Sequence, residues 1–162
     1  MVQHMTQAHH YVTKHQLTLW TPYIELTMAL SQLMSQNKSE SLKKYIEQAT
    51  VSIETILSQN GPYVTVWAVM YARACLVHGH IGSGVSALAR IASRIDFGEK
   101  WMESEYLRLS AHFQYAQSTI DSATFLQTLN NALALAQSQG ALLFAEDIRL
   151  DIDKIESALS TL

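Results

Sequence analysis

Cysteine is all but missing from this chain. Cys75 stands alone, in an apolar run, so no disulfide can close within one chain, and a reducing, cytoplasmic setting is expected. Proline is nearly as scarce, with Pro22 and Pro62 the only two. That scarcity removes the commonest helix breaker, and a chain rich in Ala, Leu, Gln and Ser then leans all-helical. Charge is thin as well. Charged side chains make up 15% of the residues, and 11 Lys and Arg against 14 Asp and Glu give a formal charge of −3. Such a balance offers no broad basic face, so no nucleic-acid partner is expected. A membrane span is also lacking: the apolar stretch VTVWAVMYARACLV is too short and contains Arg73. The opening segment MVQHMTQAHHYVTKHQLTLW is polar and has no apolar centre of an export signal.

What is present is a hydrophobic pattern. Apolar residues make up 48% of 162, enough for one domain with a real core. Residues 1–17 show no clear period and read as a loose N-terminal tail or a marginal first helix. Residues 18–162 read as a single helical-repeat domain. Thr21 as a cap and Pro22 at the first position open a helix with Tyr23, Leu26, Leu30, Leu33 and Met34 on one face. Asn37 with Glu40 predicts a capping box for the next, striped by Leu42, Tyr45, Ile46, Ala49, Ile53, Ile56 and Leu57. Asn60-Gly61-Pro62 predicts its stop. VTVWAVMY alone resembles a strand, yet the apolar run continues to Val77, beyond ordinary strand length, so a mostly buried helix fits better. SGVSALARIASRI follows as a helix with Val85, Leu88 and Ile91 inward, and three further stripes come after it, on Met102, Tyr106, Leu109 and Phe113, on Phe125, Leu129, Ala132, Leu133 and Ala136, and on Phe144, Ile148, Ile152, Ile155 and Leu159. Asp121 or Ser122 caps the second of these and Gly140 ends it. Seven helices on short turns predict an all-α stack of about three antiparallel hairpins with a C-terminal capping helix.

The hairpins repeat. A small residue recurs midway along each first helix, at Ala29, Ala72 and Ala111. Each second helix carries a trio of apolar or small residues: Leu42, Ile46 and Ala49; Gly84, Leu88 and Ile91; Phe125, Leu129 and Ala132. In this the chain resembles a degenerate tetratricopeptide repeat array. The middle hairpin, YARACLVHGHIGSGVSALARIA, carries the likeness best, with Ala72, the turn glycine Gly79 and Gly84. The region from Glu105 and Arg108-Leu109 to Ala132–Ala141 is similar to the helical repeat regions of bacterial signalling ATPases and maltose-regulon-type transcriptional activators. The spacing exceeds that of the ordinary repeat, and its consensus aromatic and proline positions are largely missing, so other helical-hairpin repeats stay open.

The resemblance implies a short right-handed α-solenoid that binds a protein or peptide without catalysis, on a concave face lined by first helices. Its alternative is a ligand-sensing or regulatory module of a bacterial signalling or transcription-control protein. Carried onto this sequence, the groove comprises Val66, Val69, Arg73, Leu76 and Val77, then Glu105, Arg108, His112 and Tyr115. Arg73 and Arg108 either clamp a carboxylate or bridge and solvate the helices. On the clamp reading, reversing both to Glu abolishes partner capture without lowering thermal stability. Self-association through apolar grooves is a further option.

Chemical motifs are weak. HGHIGSG at 78–84 lacks the lysine of a phosphate loop and the preceding strand of a dinucleotide loop. It reads as a turn, with Gly79 ending one helix, Ser83 capping the next and Gly84 letting the two pack. His78 and His80 would need a third ligand to hold a metal, and no Cys-x-x-Cys or His-x-x-x-His pair supplies one. No nucleophile stands by an evident base, so no catalytic residue, cofactor or metal is expected. Residues 141–162 hold five acidic against two basic side chains, equal to the whole formal charge of −3. Asp147 and Asp151 share a helix face there, with Arg149 and Lys154 as the expected pairing partners. That acidic end is either the polar cover of a capping helix or a docking face for a basic partner.

Overall fold

A computed structural model describes residues 2–35, 41–59, 61 and 63–160. Among them are eight α-helices and no strand: α1 (Val2–Lys14), α2 (Thr21–Ser35), α3 (Ser41–Gln59), α4 (Val64–Val77), α5 (Ile81–Asp96), α6 (Glu103–Ala116), α7 (Ser122–Ser138) and α8 (Leu142–Leu159). A 3₁₀ turn, Lys100–Met102, leads into α6. The expected capping box at Asn37 and Glu40, and Asn60 and Pro62 of the expected stop, lie outside the described residues. None of the described helices is long and apolar enough to cross a membrane.

Consecutive helices pack as hairpins, α2 on α3, α4 on α5 and α6 on α7, with α8 closing against α7. The first helices also touch one another in a row, α2 to α4 to α6 to α8, whereas the second helices α3, α5 and α7 make no comparable contacts among themselves. The first-helix row is therefore the tighter, inner layer of the stack. The expected close-approach residues sit at its centre: Ala29, Ala72 and Ala111 are all buried. Two apolar clusters fill the stack, one spanning α2 to α6 and one joining α6, α7 and α8 around Phe125, Leu129 and Ile148. The run VTVWAVMY is helical in α4, with Val64, Ala68, Val69, Tyr71, Ala72 and Cys75 buried, which accounts for its near-continuous hydrophobicity.

Residues 1–17, read as a loose tail or a marginal first helix, carry α1, which packs on α2. Its inward stripe is Met5, Ala8, His9 and Val12, at helical spacing but with a histidine and an alanine in place of larger apolar groups, so the period is faint in the sequence. Within HGHIGSG, Gly79 does end α4 in the left-handed region (φ 75°). However, α5 begins at Ile81 with His80 in the capping position, so Ser83 is inside the helix. Gly84 faces the next hairpin: a β-carbon there would lie 2.1 Å from Cζ of Phe113 in α6. Its missing side chain sets how closely α6 approaches α5.

Helix ends share one device. At α1, α4, α5, α6 and α7 an N–H bonds back five residues to a carbonyl, as from His80 to Cys75 (2.8 Å) and from Ala141 to Ala136 (2.9 Å). Glycine occupies the left-handed position at Gly79, Gly98 and Gly140, but Gln16 and Ser118 hold it at α1 and α6. Asp121 caps α7 as expected, accepting from the Thr124 N–H at 2.8 Å.

Candidate functional sites on the first-helix row

The expected groove residues divide. Arg73, Leu76 and Val77 of α4 and Arg108 and His112 of α6 do line one small pocket, together with Asp147, Leu150, Asp151 and Lys154 of α8. Val66 lines a different groove, Val69 is wholly buried in the core, and Glu105 is buried beneath Arg108. Tyr115 belongs to neither pocket; its ring stacks on Phe125 with centroids 4.6 Å apart.

The arginines are engaged internally. Arg108 grips Glu105 with two hydrogen bonds of 2.7 and 2.8 Å and donates a third, of 2.6 Å, to Asp151. Arg73 donates to Asp147 at 2.6 Å and stands 3.6 Å from Glu105. His112 bonds Asp151 at 2.7 Å. Three first helices are thereby tied together. The acidic pair Asp147 and Asp151 turns inward to these arginines instead of outward to Arg149, which pairs with Glu146, although Lys154 does come within 3.8 Å of Asp151. Burial alone would raise the Asp151 carboxyl, but hydrogen bonds from His112 and Arg108 outweigh it and hold the group at about 2. Burial would likewise ease the proton off Arg108, and Glu105 and Asp151 overcome it, so the guanidinium holds its charge more firmly than usual. Only 7% of the Arg108 side chain is exposed. Reversing Arg108 to Glu would place a carboxylate against buried Glu105, so the expectation that reversal leaves stability untouched does not survive this geometry.

A second surface opens at the other end of the row. Leu19 and Trp20 of the turn before α2, with Tyr23, Ile24 and Thr27 of that helix, form one wall. Gln59, Gly61, Tyr63, Val66, Trp67 and Trp101 complete a groove of about 730 Å³. All three tryptophans of the chain meet here. The rings form two sets: Trp20 to Tyr23 at 5.9 Å and Tyr23 to Trp67 at 5.8 Å, and separately Tyr63 to Trp101 at 6.0 Å. None of the lining residues is charged. The surface is open, with Trp20 57%, Tyr63 64% and Trp101 49% exposed.

The fold holds these rings in place. Met102 anchors the 3₁₀ turn in the core beside Trp101. Gln139, just past the end of α7, donates to the Lys100 carbonyl at 2.7 Å, and Thr65 donates to Glu99, which also binds Arg94 at 2.6 Å. The Thr65 hydrogen bond is the main cause of a lowered Glu99 carboxyl. Gly61 leaves room for the Tyr23 hydroxyl, which would stand 3.0 Å from a β-carbon there. Tyr63 sits in the left-handed region at φ 61°, a conformation bulky residues avoid at a cost of about 1 kcal/mol or more. Sequence periodicity did not reveal this groove, because its members sit at helix starts and in turns. The available signal was that each tryptophan falls at the beginning of a first helix.

Other candidates have structural partners. His78 Nε2 lies 3.0 Å from the Leu33 carbonyl in the last turn of α2, satisfying a group the helix leaves unpaired. Burial pushes the Cys75 thiol up to about 11 and Tyr71, bonded to Thr50, up to about 12, so neither ionises near neutral pH. Among the described residues no three His, Cys, Asp or Glu side chains gather to hold a metal ion. Compared with protein-family models, curated proteins and solved structures, the chain finds no match.

Proposed function

We propose that the protein is a non-catalytic binding scaffold of the tetratricopeptide-like kind, and that the aromatic groove is where it takes a protein or peptide partner. The carrying observation is the convergence of every tryptophan of the chain on one open, uncharged surface. Soluble chains rarely leave a large contiguous apolar patch exposed without a use, and Trp and Tyr dominate the energetics of protein interfaces. Support for the repeat likeness comes from the row of touching first helices and the buried alanines at their crossings. The arginine cluster, with its charge internally matched, serves to dock α8. The test is affinity capture from the source cell with three baits: the native chain, Trp20→Ala/Trp101→Ala and Arg73→Gln. The double tryptophan variant is expected to lose the partner while Arg73→Gln keeps it; the opposite pattern would overturn the assignment.

A second reading is the sensing of a small neutral ligand, favoured by a volume within the several-hundred Å³ range of small-molecule pockets. The half-exposed rings weigh against it, because such pockets enclose most of their ligand. A metabolite that raises the melting temperature of the native chain and leaves Trp101→Ala unmoved would establish it.

A further inference from the structure

We infer that the aromatic groove is a self-association face, and that its occupant is the same groove of a second copy of this chain, paired about a two-fold axis. The inference rests on the reading of the groove as the binding surface and names the partner.

The first argument is charge. In a two-fold interface one patch meets itself, so any charge near the axis faces its own sign. A surface built for self-pairing is therefore neutral at its centre, whereas a surface that selects a foreign partner gains orientation and discrimination from charge. Among the described residues lining the groove, none is charged. The charges beside Trp101 are matched within the chain: Glu99 binds Arg94, and Lys100 lies 2.9 Å from Glu103. The chain as a whole carries −3, which opposes the approach of two copies. That acidic excess lies in residues 141–162, however, and no residue of α8 lines the groove. Groove-to-groove contact keeps it outside the interface.

The second argument is area. Trp20, Tyr63 and Trp101 are each about half exposed or more. At about 150–250 Å² per aromatic side chain, the three leave roughly 250–430 Å² of ring uncovered on each copy. Leu19, mostly exposed, and the partly buried Ile24, Val66 and Trp67 extend the patch. A standard complex buries about 800 Å² on each partner, and weak ones bury less than about 1,200 Å² in total. The patch suffices for a homodimer of the weak class, with the aromatic, uncharged centre that such interfaces favour. Association this weak leaves dilute protein as single chains, whose unfolding reads one chain alone.

The test uses the full chain in sedimentation velocity from about 1 μM to about 1 mM, the range of weak association. The mass is expected to rise with concentration from that of one chain, 18.2 kDa, toward two and no further, because a two-fold contact closes on itself. Trp20→Ala and Trp101→Ala are each expected to weaken association on the order of tenfold or more. Leu143→Ser, at a still more exposed apolar residue of α8 outside the groove, is expected to leave it unchanged. Gln59, an exposed neutral residue of the lining, gives the sharper test of symmetry. At about 10 mM salt, where charges act over about 30 Å, Gln59→Glu and Gln59→Lys are each expected to associate less than the native chain, and an equimolar mixture to regain association as a mixed pair. A mass that stays at one chain, association that survives both tryptophan changes, a mixture no tighter than its components, or growth beyond two chains overturns the inference. The groove as binding surface is decided separately. Capture of a different cellular protein that depends on Trp20 and Trp101 sustains that reading where self-association fails, and the absence of both removes it.

Discussion

The inner row carries two surfaces of opposite character. At one end, α4, α6 and α8 meet through Arg73, Glu105, Arg108, His112, Asp147 and Asp151, and nearly every charge there faces a partner within 4 Å. At the other, α2, α4 and the turn before α6 present rings without charge, open to solvent. Charged groups draw attention in a sequence, yet a guanidinium matched by its own fold has little left to offer a ligand. The neutral surface is the one whose interactions remain to be made. The two can be separated by substitution, because one is expected to govern stability and the other recognition.

The largest effect is expected at the closed end. Arg108→Met removes both hydrogen bonds to Glu105, which is 1% exposed and keeps only Arg73 at 3.6 Å, and should cost about 3–5 kcal/mol in urea unfolding. Adding Glu105→Leu should recover most of that loss, since a buried pair replaced together by apolar groups is close to neutral. If the single variant unfolds like the native chain, the cluster is not the clamp described here.

Next comes the substitution expected to disturb both ends. Gly84→Ala drives a β-carbon into Phe113 of α6, and α6 carries Arg108 and follows Trp101. A loss of about 3 kcal/mol, the upper end of overpacking, is expected, with partial recovery on adding Phe113→Leu. Unfolding that shows no such rescue would place the strain elsewhere.

Acid should loosen the closed end. Asp151 titrates at about 2 against an ordinary 3.8. With the folded value depressed, its stabilisation is complete above about pH 4 and is lost as pH falls toward 2, a contribution of roughly 2 kcal/mol. Asp151→Asn should lack this part of the pH dependence; equal slopes for the two proteins would contradict it.

The smallest effect on stability is expected in the groove. Trp101→Ala should change unfolding by less than about 1 kcal/mol, as befits a half-exposed side chain, yet reduce partner capture sharply. A large loss of stability would make Trp101 a core residue rather than a recognition residue.

What the sequence disclosed follows from where periodicity operates. Leu26, Leu30 and Leu33, or Phe125, Leu129 and Ala132, announce helices because one face is buried at every turn. Gly79 and Gly140 announce helix ends because the left-handed position suits glycine. The same signals fail where a stripe is diluted, as by His9 in α1, or where a special conformation is held by Gln16 or Ser118. Arg73 and Arg108 were visible as charges, but their partners are 74 and 43 residues away in α8, a pairing no local pattern encodes. The groove escaped for a related reason: Trp20, Tyr63 and Trp101 lie in turns and at helix starts, and only the stacking of hairpins brings them together.

The central claim is that the neutral groove recognises and the charged cluster holds. It is tested most directly by a ¹⁵N spectrum of the native chain recorded with and without the captured partner, reading the three indole N–H signals beside the Arg108 Nε–H. The indole signals are expected to move together while Arg108 stays in place. Movement of Arg108 with unmoved indoles would contradict the account.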